Sequence, residues 1–208
     1  MSEELKKPHT RTLDICCLHG PRWNGRPVAA QPGMGMREYI KATLKTFFSK
    51  NKQYSVQIGA VSPTGTVGRN TFNSVYISTM ANCKIIVTAN PKSEGDYRLM
   101  ETLSSGAMVM EDDMLFPPPG LKDEFNIVFY NTSTLIPKLT YYLEHQEIAR
   151  EIGKEGTKEA FTHHLPPHLI SRVLTTVANS LANQPPPDTA VLIEPNTNYN
   201  LTNRYRRQ

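Results

Sequence analysis

The sequence predicts an α/β fold, a Rossmann-like doubly wound parallel sheet, on three observations. Short apolar runs of strand length recur along the chain. Segments with apolar residues at helical spacing lie between these runs. Strands that alternate with helices in this way build parallel sheets that are covered on both faces. The chain has 208 residues, 38% of them hydrophobic, which is enough for the core of one such domain.

The first part of the chain contains two predicted strands and one predicted helix. The apolar run 13–18 predicts a strand that ends at the break His19-Gly20-Pro21. Residues 20–36 are dense in Gly and Pro and are interpreted as a loop. Apolar residues at helical spacing then predict a helix over 36–50, and the run 55–60 predicts the next strand.

A second helix is predicted around Phe72 to Met80, and the apolar run 84–89 predicts another strand. The short helix after it ends at Gly106, since a glycine suits the left-handed position that follows a helix. Apolar runs and helical spacing predict the remaining elements, which are strands at 107–111 and 126–130 and helices at 133–145, 146–162 and 166–182.

We divide the chain into a flexible N-terminus (1–11), the Rossmann-like domain (12–182) and a Pro- and Asn-rich tail (183–208). The tail contains three consecutive prolines and many Asn residues. We expect it to be disordered or draped on the surface of the domain.

Charge and cysteine usage limit the classes of function. The net charge is +4, and Lys and Arg are scattered except at 204–207, so no nucleic-acid partner is expected. No run approaches 18 apolar residues and the N-terminus lacks an apolar signal core, so no transmembrane segment is expected. Three cysteines, with Cys16 and Cys17 adjacent, cannot build a disulfide framework. We expect free thiols and a cytoplasmic location.

The segment after the 84–89 strand carries the chemistry. Glu94 and Asp96 lie in a polar loop, and Arg98 and Glu101 follow at a spacing that places both on one face of the short helix. Ligands of open α/β sheets bind at the carboxyl ends of the strands, where a helix N-terminus favours phosphate. An Arg can bind a diphosphate through two hydrogen bonds, and a carboxylate can accept both hydroxyls of a ribose.

The order of these residues resembles the C-terminal, donor-binding half of GT-B glycosyltransferases, closest to the spore-maturation CgeB-like group. The matching series is Arg98, Glu101, the small-residue run Thr102 to Gly106, and the run Ala107 to Asp113 with its acidic end. The resemblance covers roughly Thr12 to Leu174. It implies a nucleotide-diphosphate sugar as substrate, with no cofactor and no metal.

The resemblance also implies roles for the residues of this segment. Glu101 would hold the ribose hydroxyls, and Arg98 would face the diphosphate. Many retaining members carry two glutamates separated by seven residues, whereas here Glu94 and Glu101 are separated by six. Glu94 and Asp96 are therefore equal candidates for the catalytic acid beside the transferred sugar. The alternative is that both are exposed loop acids that complement the helix dipole.

Five further residues complete the candidate site. Gly95 and Tyr97 belong to the donor-binding segment, and Tyr97 is interpreted either as a base-stacking or as a core residue. Arg37 and Arg69 each open a helix after a Gly-rich loop, as phosphate contacts or as ordinary solvated charges. Gly20 is expected to line the same cleft.

Two clusters suggest metal ligation at first sight. His163, His164 and His168 have no cysteine or paired carboxylate nearby, so structural roles are predicted for them. Asp112 and Asp113 are interpreted as loop-forming residues after a strand.

We therefore expect a glycosyltransferase-like domain that binds a nucleotide-diphosphate sugar and transfers the sugar to an unidentified acceptor. A complete GT-B enzyme has two such domains with the site between them, so an acceptor-domain protein partner is expected. The alternative is a catalytically incomplete nucleotide-sugar-binding or protein-interaction domain, as a fragment or partner subunit of such an enzyme.

Overall fold

A five-stranded parallel sheet is the centre of the structure, a computed structural model that describes residues 10–19, 27–28, 31–61, 73–89 and 97–182. The strands, in chain order, are β1 (Leu13–Cys17), β2 (Pro27–Val28), β3 (Gln31–Gly35), β4 (Val56–Ile58), β5 (Cys83–Thr88), β6 (Met108–Asp112) and β7 (Val128–Tyr130). The helices are α1 (Met36–Lys50), α2 (Ser74–Asn82), α3 (Tyr97–Ser104), α4 (Leu135–Glu144), α5 (Gln146–His163) and α6 (Pro166–Leu181).

The strand order β4-β1-β5-β6-β7 places β5 at the centre, and every neighbouring pair in this sheet is parallel. This confirms the predicted doubly wound sheet. The interpretation of residues 20–36 as a loop without strands is wrong, because β2 and β3 form a short antiparallel pair there. Gly and Pro weaken central strands but are tolerated in short edge strands, so their density did not exclude this hairpin.

Helices cover both faces of the sheet. One face presents alternate strand residues, which are Ile15, Cys17, Ile85, Val87, Met108, Met110, Val128 and Tyr130. Buried residues of α1 and α4 pack on this face. On the other face, Met80 of α2 packs with Ile86, and Leu99 and Leu103 of α3 pack with Val109. Because both faces are buried, the strands read as continuous apolar runs rather than alternating ones.

The direction of winding reverses between β1 and β5. From β1 the chain passes through α1 to the edge strand β4, and from β5 it passes through α3 in the opposite direction to β6. The helices α1 and α3 therefore lie on opposite faces, and a crevice opens between the carboxyl ends of β1 and β5. In open α/β sheets this switch point is where ligands bind.

The helix α5 closely approaches the amino-terminal edge of the sheet, opposite the crevice, at two glycines. A Cβ atom on Gly156 would lie 2.5 Å from the backbone oxygen of Asn126, and one on Gly153 would lie 2.8 Å from the backbone nitrogen of Met108. Gly106, which precedes β6, has a φ of +82°, as predicted for the residue after α3. Only residues without a side chain fit this contact between helix and sheet.

Arg11 binds at the same edge, where its guanidinium donates hydrogen bonds to the carbonyl oxygens of Cys83 (2.6 Å) and Ser105 (2.7 Å). Its burial lowers the pKa of this guanidinium. Arg11 thus ties the start of the described chain to the central strand and to the end of α3.

The expectation of three free thiols is wrong for two of the cysteines. Cys16 of β1 and Cys83 of β5 lie on the same face of adjacent strands, with their Cα atoms 6.0 Å apart, and their sulfurs are bonded. Adjacent strands bring together residues that are 67 positions apart in sequence. Cys17 is a buried free thiol, and burial raises its pKa to about 12. Free thiols at all three cysteines were one argument for a cytoplasmic location. The disulfide removes that argument, and the location stays a prediction.

Within the described part of the chain, no helix combines the length and apolarity that a membrane span requires.

Candidate functional site

Two arginines bracket the crevice between β1 and β5. Arg37 is the second residue of α1, and its Nε donates a hydrogen bond to the carbonyl oxygen of Ala89, just after β5 (3.0 Å). Arg98 is the second residue of α3, and its Nη1 donates to the carbonyl oxygen of Leu18, just after β1 (3.2 Å). The helix α1 comes after β1 in the chain, and its arginine contacts the end of β5. The helix α3 comes after β5, and its arginine contacts the end of β1. Two guanidinium groups and two helix N-termini contribute positive charge to this edge.

Tyr76 connects Arg98 to Glu101. The Tyr76 hydroxyl donates a hydrogen bond to Glu101 Oε2 (3.2 Å) and accepts one from Arg98 Nη1 (3.3 Å). The guanidinium carbon of Arg98 also lies 5.5 Å from the centroid of the Tyr76 ring. Both residues of α3 therefore point to the α2 side of the same edge, as their three-residue spacing predicts.

The position of Tyr76 follows from the start of α2. The side chain of Asn73 caps this helix by accepting a hydrogen bond from the backbone N–H of Tyr76 (3.0 Å), and its amide donates to the carbonyl oxygen of Val61 (3.2 Å). The cap therefore fixes the first turn of α2 beside α3. Tyr76 was not predicted as a site residue, because its helical spacing indicates only that it faces the core.

His19 lies in the crevice, two residues after the end of β1. The side chain is 1% exposed, and neither ring nitrogen has a hydrogen-bond partner within the described structure. Burial, followed by the positive charges of Arg37, Arg98 and Lys41, lowers the pKa of His19 well below 6.5. The ring is therefore neutral at pH 7. His19 was interpreted from sequence only as part of a chain break.

Acidic residues end the neighbouring strand β6 at the same edge. Glu111 and Asp112 are the last two residues of this strand and are buried. The interpretation of Asp112 as loop-forming is therefore wrong, because pairing with β7 extends the strand through it. Asp113 continues this pairing, since its backbone N–H donates to the carbonyl oxygen of Tyr130 (2.8 Å).

The remaining predicted site residues are placed only in part. Gly20, Arg69, Glu94, Gly95 and Asp96 lie outside the described residues. The backbone of Tyr97 begins α3, and its side chain lies outside them as well. The structure thus brings together Arg37, Arg98 and Glu101 and adds Tyr76 and His19 to them.

The histidines near the end of α5 belong to a different region. His164 is buried, and its Nε2 lies 3.4 Å from Glu159 Oε1. Desolvation lowers the pKa of His164 despite that carboxylate. Among the residues that the structure describes, no three His, Cys, Asp or Glu side chains are grouped as metal ligands.

Two surface cavities also lie away from the crevice. One, of about 430 Å³, is lined by α1 and Ile136, and the other, of about 390 Å³, by residues of α4 with Glu124 and Ile148. Neither includes a residue of the arginine-lined edge.

The chain is similar to known proteins in sequence and in fold. Residues 9–175 match the family model described as glycosyl transferase-like. The solved structure of TarM is similar with a TM-score of 0.56 and 15% identity, over 81% of this chain and 36% of TarM. Sucrose-phosphate synthase from Thermosynechococcus elongatus is similar with a TM-score of 0.50 and 11% identity, over 87% of this chain and 48% of that protein. No curated protein matches the chain.

At these identities the structural likeness shows the fold alone, whereas the family model covers most of the chain. The chain spans less than half the length of both solved proteins. It belongs to the glycosyl transferase-like family, and its α/β domain has the Rossmann-like fold of one half of a GT-B glycosyltransferase.

Proposed function

We propose that the chain is the donor-binding domain of a glycosyltransferase and that its crevice holds a nucleotide-diphosphate sugar. The observation that carries the proposal is the pair of arginines at the N-termini of α1 and α3, which bind the backbone just after β5 and just after β1 at the switch point. In this arrangement Arg98 and Arg37 contact the diphosphate, and Glu101 accepts hydrogen bonds from the ribose hydroxyls. An ionised carboxylate has enough acceptor sites to bind Tyr76 and a ribose together.

The proposed reaction is glycosyl transfer. A hydroxyl oxygen of the acceptor attacks the anomeric carbon of the sugar, and the bond from that carbon to the diphosphate oxygen breaks. The nucleoside diphosphate leaves with the electron pair and takes up the proton of the acceptor hydroxyl. Arginines and helix N–H groups aimed at the leaving group stabilise its developing charge. Glu94 and Asp96 remain the proposed acids beside the sugar, with Gly95, Tyr97, Arg69 and Gly20 as further donor contacts.

We propose that this charge stabilisation needs no metal ion, because Arg37 and Arg98 both lie at the strand ends where we propose the diphosphate binds. Addition of EDTA is therefore expected to leave nucleotide affinity unchanged. A loss of affinity that Mg²⁺ or Mn²⁺ restores would contradict this part of the proposal.

We further propose that the transfer reaction requires a second, acceptor-binding domain that packs on α6. No residue of α6 is buried in the described structure, and its exposed apolar residues form one stripe: Leu169, Ile170, Val173, Leu174, Val177 and Leu181. A continuous apolar stripe of this kind marks an interaction surface. The part of TarM that is similar to this chain is 36% of that protein, and for sucrose-phosphate synthase it is 48%. These shares favour a second domain as the partner that covers the stripe.

A thermal-shift screen tests donor binding. The full chain is heated with UDP, ADP, GDP, CDP or dTDP, and each nucleotide is compared with its nucleoside at the same concentration. We expect one diphosphate to raise the melting temperature and its nucleoside to have a much smaller effect, because the charge of the crevice selects the diphosphate.

Turnover separates the two forms of this function. Hydrolysis or transfer of the matching nucleotide sugar only in the presence of an added acceptor domain would support the transferase. Binding without turnover under both conditions would favour a catalytically incomplete nucleotide-sugar-binding domain. A screen in which no nucleotide raises the melting temperature would contradict donor binding itself.

A further inference from the structure

We propose that His19 is a further ligand-contacting residue of the crevice and donates a hydrogen bond from its imidazole ring to a phosphoryl oxygen of the bound diphosphate. This inference rests on the proposed function. It concerns a residue that neither the motif after β5 nor the arginine pair includes.

The first step of the argument is the burial of the ring. His19 is 1% exposed, yet both of its ring nitrogens are without a hydrogen-bond partner among the described residues. Buried polar side chains in folded proteins nearly always have a partner, and the exceptions need an explanation. A histidine kept only for packing would be replaceable by an apolar residue with a gain in stability, so a ligand that supplies the missing partner is a sufficient explanation.

The second step is the position of the ring. His19 follows Leu18, whose carbonyl oxygen accepts the hydrogen bond from Arg98. In the extended alternation of β1, His19 falls on the same side as Cys17, which is the face covered by α1 and its residue Arg37. The imidazole thus lies on the α1 side of this strand end, close enough to both Arg37 and Arg98 for their charges to act on it.

The third step is the chemistry of the ring. Burial and the neighbouring positive charges of Arg37, Arg98 and Lys41 keep His19 neutral, so it offers one N–H donor and one acceptor nitrogen. Guanidinium groups have no acceptor for that N–H. An anionic oxygen held by both arginines is the acceptor best matched to it, and its negative charge strengthens the hydrogen bond.

Two substitutions of His19 in the full chain test the proposal. His19→Leu removes both ring nitrogens and keeps an apolar side chain, and His19→Gln keeps an N–H donor. We expect the diphosphate chosen in the thermal-shift screen to bind His19→Leu about tenfold more weakly or worse, because a hydrogen bond to a charged group is lost. Affinity for the matching nucleoside should not change, and His19→Gln should recover part of the diphosphate affinity.

The ligand-free melting temperature provides the second measurement. Because the ring is unpaired without ligand, His19→Leu should melt at the same temperature as the wild type or higher. His164→Leu is the matched control, since His164 is also buried but lies beside Glu159 and away from the crevice. We expect its diphosphate affinity to equal that of the wild type.

The outcomes separate this inference from the function on which it rests. Wild-type binding with equal affinity in His19→Leu would overturn the role of His19 alone. A marked fall in the ligand-free melting temperature of His19→Leu would overturn it as well, because the ring would then have a structural partner. A wild type that binds none of the five diphosphates would overturn the donor-binding function together with this inference.

Discussion

Tyr76 shows at the scale of single residues how the candidate site is organised. Its hydroxyl is hydrogen-bonded to both Arg98 and Glu101, so the orientation of the two side chains depends on a residue of another helix. Sequence spacing predicted that Arg98 and Glu101 share a face of α3. It did not predict the contact with Tyr76, which lies 22 and 25 positions away from them.

Substitutions in α3 should separate binding of the diphosphate from binding of the ribose. Glu101→Gln should lower affinity for a nucleoside diphosphate and for its nucleoside alike, by about tenfold or more, because a charge-assisted acceptor is lost. Arg98→Lys should weaken diphosphate binding and spare the nucleoside, because Lys lacks the planar fork of donors. Calorimetric titration measures both, with the exposed Glu144→Gln as control.

The two variants should also differ in stability. Arg98 donates a hydrogen bond to the carbonyl oxygen of Leu18, so Arg98→Lys is expected to lower the melting temperature slightly. Glu101→Gln keeps an acceptor for the Tyr76 hydroxyl, so its melting temperature should equal that of the wild type. Equal diphosphate affinity in the wild type and both variants would favour a purely structural role for this pair.

The buried imidazole of His19 should make stability depend on pH. Its pKa in the folded state lies well below 6.5, so below pH 6.5 the unfolded chain binds a proton that the folded chain does not. Stability is therefore lost as the pH falls below 6.5, by up to about 1.4 kcal/mol per pH unit. Urea unfolding of ligand-free protein between pH 7 and pH 5 measures this loss.

The comparison with His19→Leu isolates the contribution of one histidine. His164, whose pKa is also lowered, titrates in both proteins and cancels in the difference. The wild type should lose more stability than the variant over this range. Parallel losses would mean that the His19 ring is protonated in the folded protein as readily as in the unfolded chain.

At the scale of elements, the contact between α5 and the amino-terminal edge of the sheet depends on glycine. Gly153 and Gly156 bring the helix onto the backbone at Met108 and Asn126, while the opposite edge carries the candidate site. The helical spacing predicted α5 correctly, but the reason for its glycines became evident only from the backbone that they contact.

Gly156→Ala should therefore destabilise the protein even though alanine favours helices. The added methyl group would lie 2.5 Å from the backbone oxygen of Asn126, which cannot move without disturbing the start of β7. Overpacking costs about 1–3 kcal/mol, and the higher helix propensity of alanine offsets at most about 1 kcal/mol of that. We expect a net loss in the free energy of unfolding by urea.

Lys154→Ala is the control for this substitution, because Lys154 lies on the exposed side of α5 and pairs with Glu151, an exposed residue of the same helix. Its effect should stay within about 0.5 kcal/mol. A Gly156→Ala variant as stable as the wild type would show that α5 can shift away from the sheet at little cost.

At the scale of the whole molecule, α6 differs from the other helices. The helices α1 to α5 each bury residues in the described core, whereas α6 presents Leu174 at 63% exposure and Leu181 at 81%. Helical spacing predicted α6, and we propose that a second domain covers its exposed apolar stripe.

The double substitution Ile170→Lys and Leu174→Lys tests that assignment. We expect an unchanged melting temperature, because both side chains are exposed, and weaker binding of the added acceptor domain. Leu44→Lys is the contrasting core substitution and should prevent folding. A clear loss of stability in the α6 variant would instead indicate that another part of the same chain covers the stripe.

The sequence by itself determined the order and type of most elements, because apolar periodicity and strand length are local properties. It also determined the identity of Arg98 and Glu101 as candidate site residues, since their spacing on one helix is visible without a fold. The parallel winding followed from the alternation of strands and helices.

Only the tertiary structure decided which distant residues meet. Several contacts join positions more than 20 residues apart. They are the hydrogen bonds from Arg37 and Arg98 to distant strand ends, the contact between Tyr76 and Arg98, and the disulfide between Cys16 and Cys83. Such contacts depend on strand order and on which face each helix covers. The unpaired ring of His19 likewise became evident only from the fold, because burial is a property of the folded chain and not of a residue type.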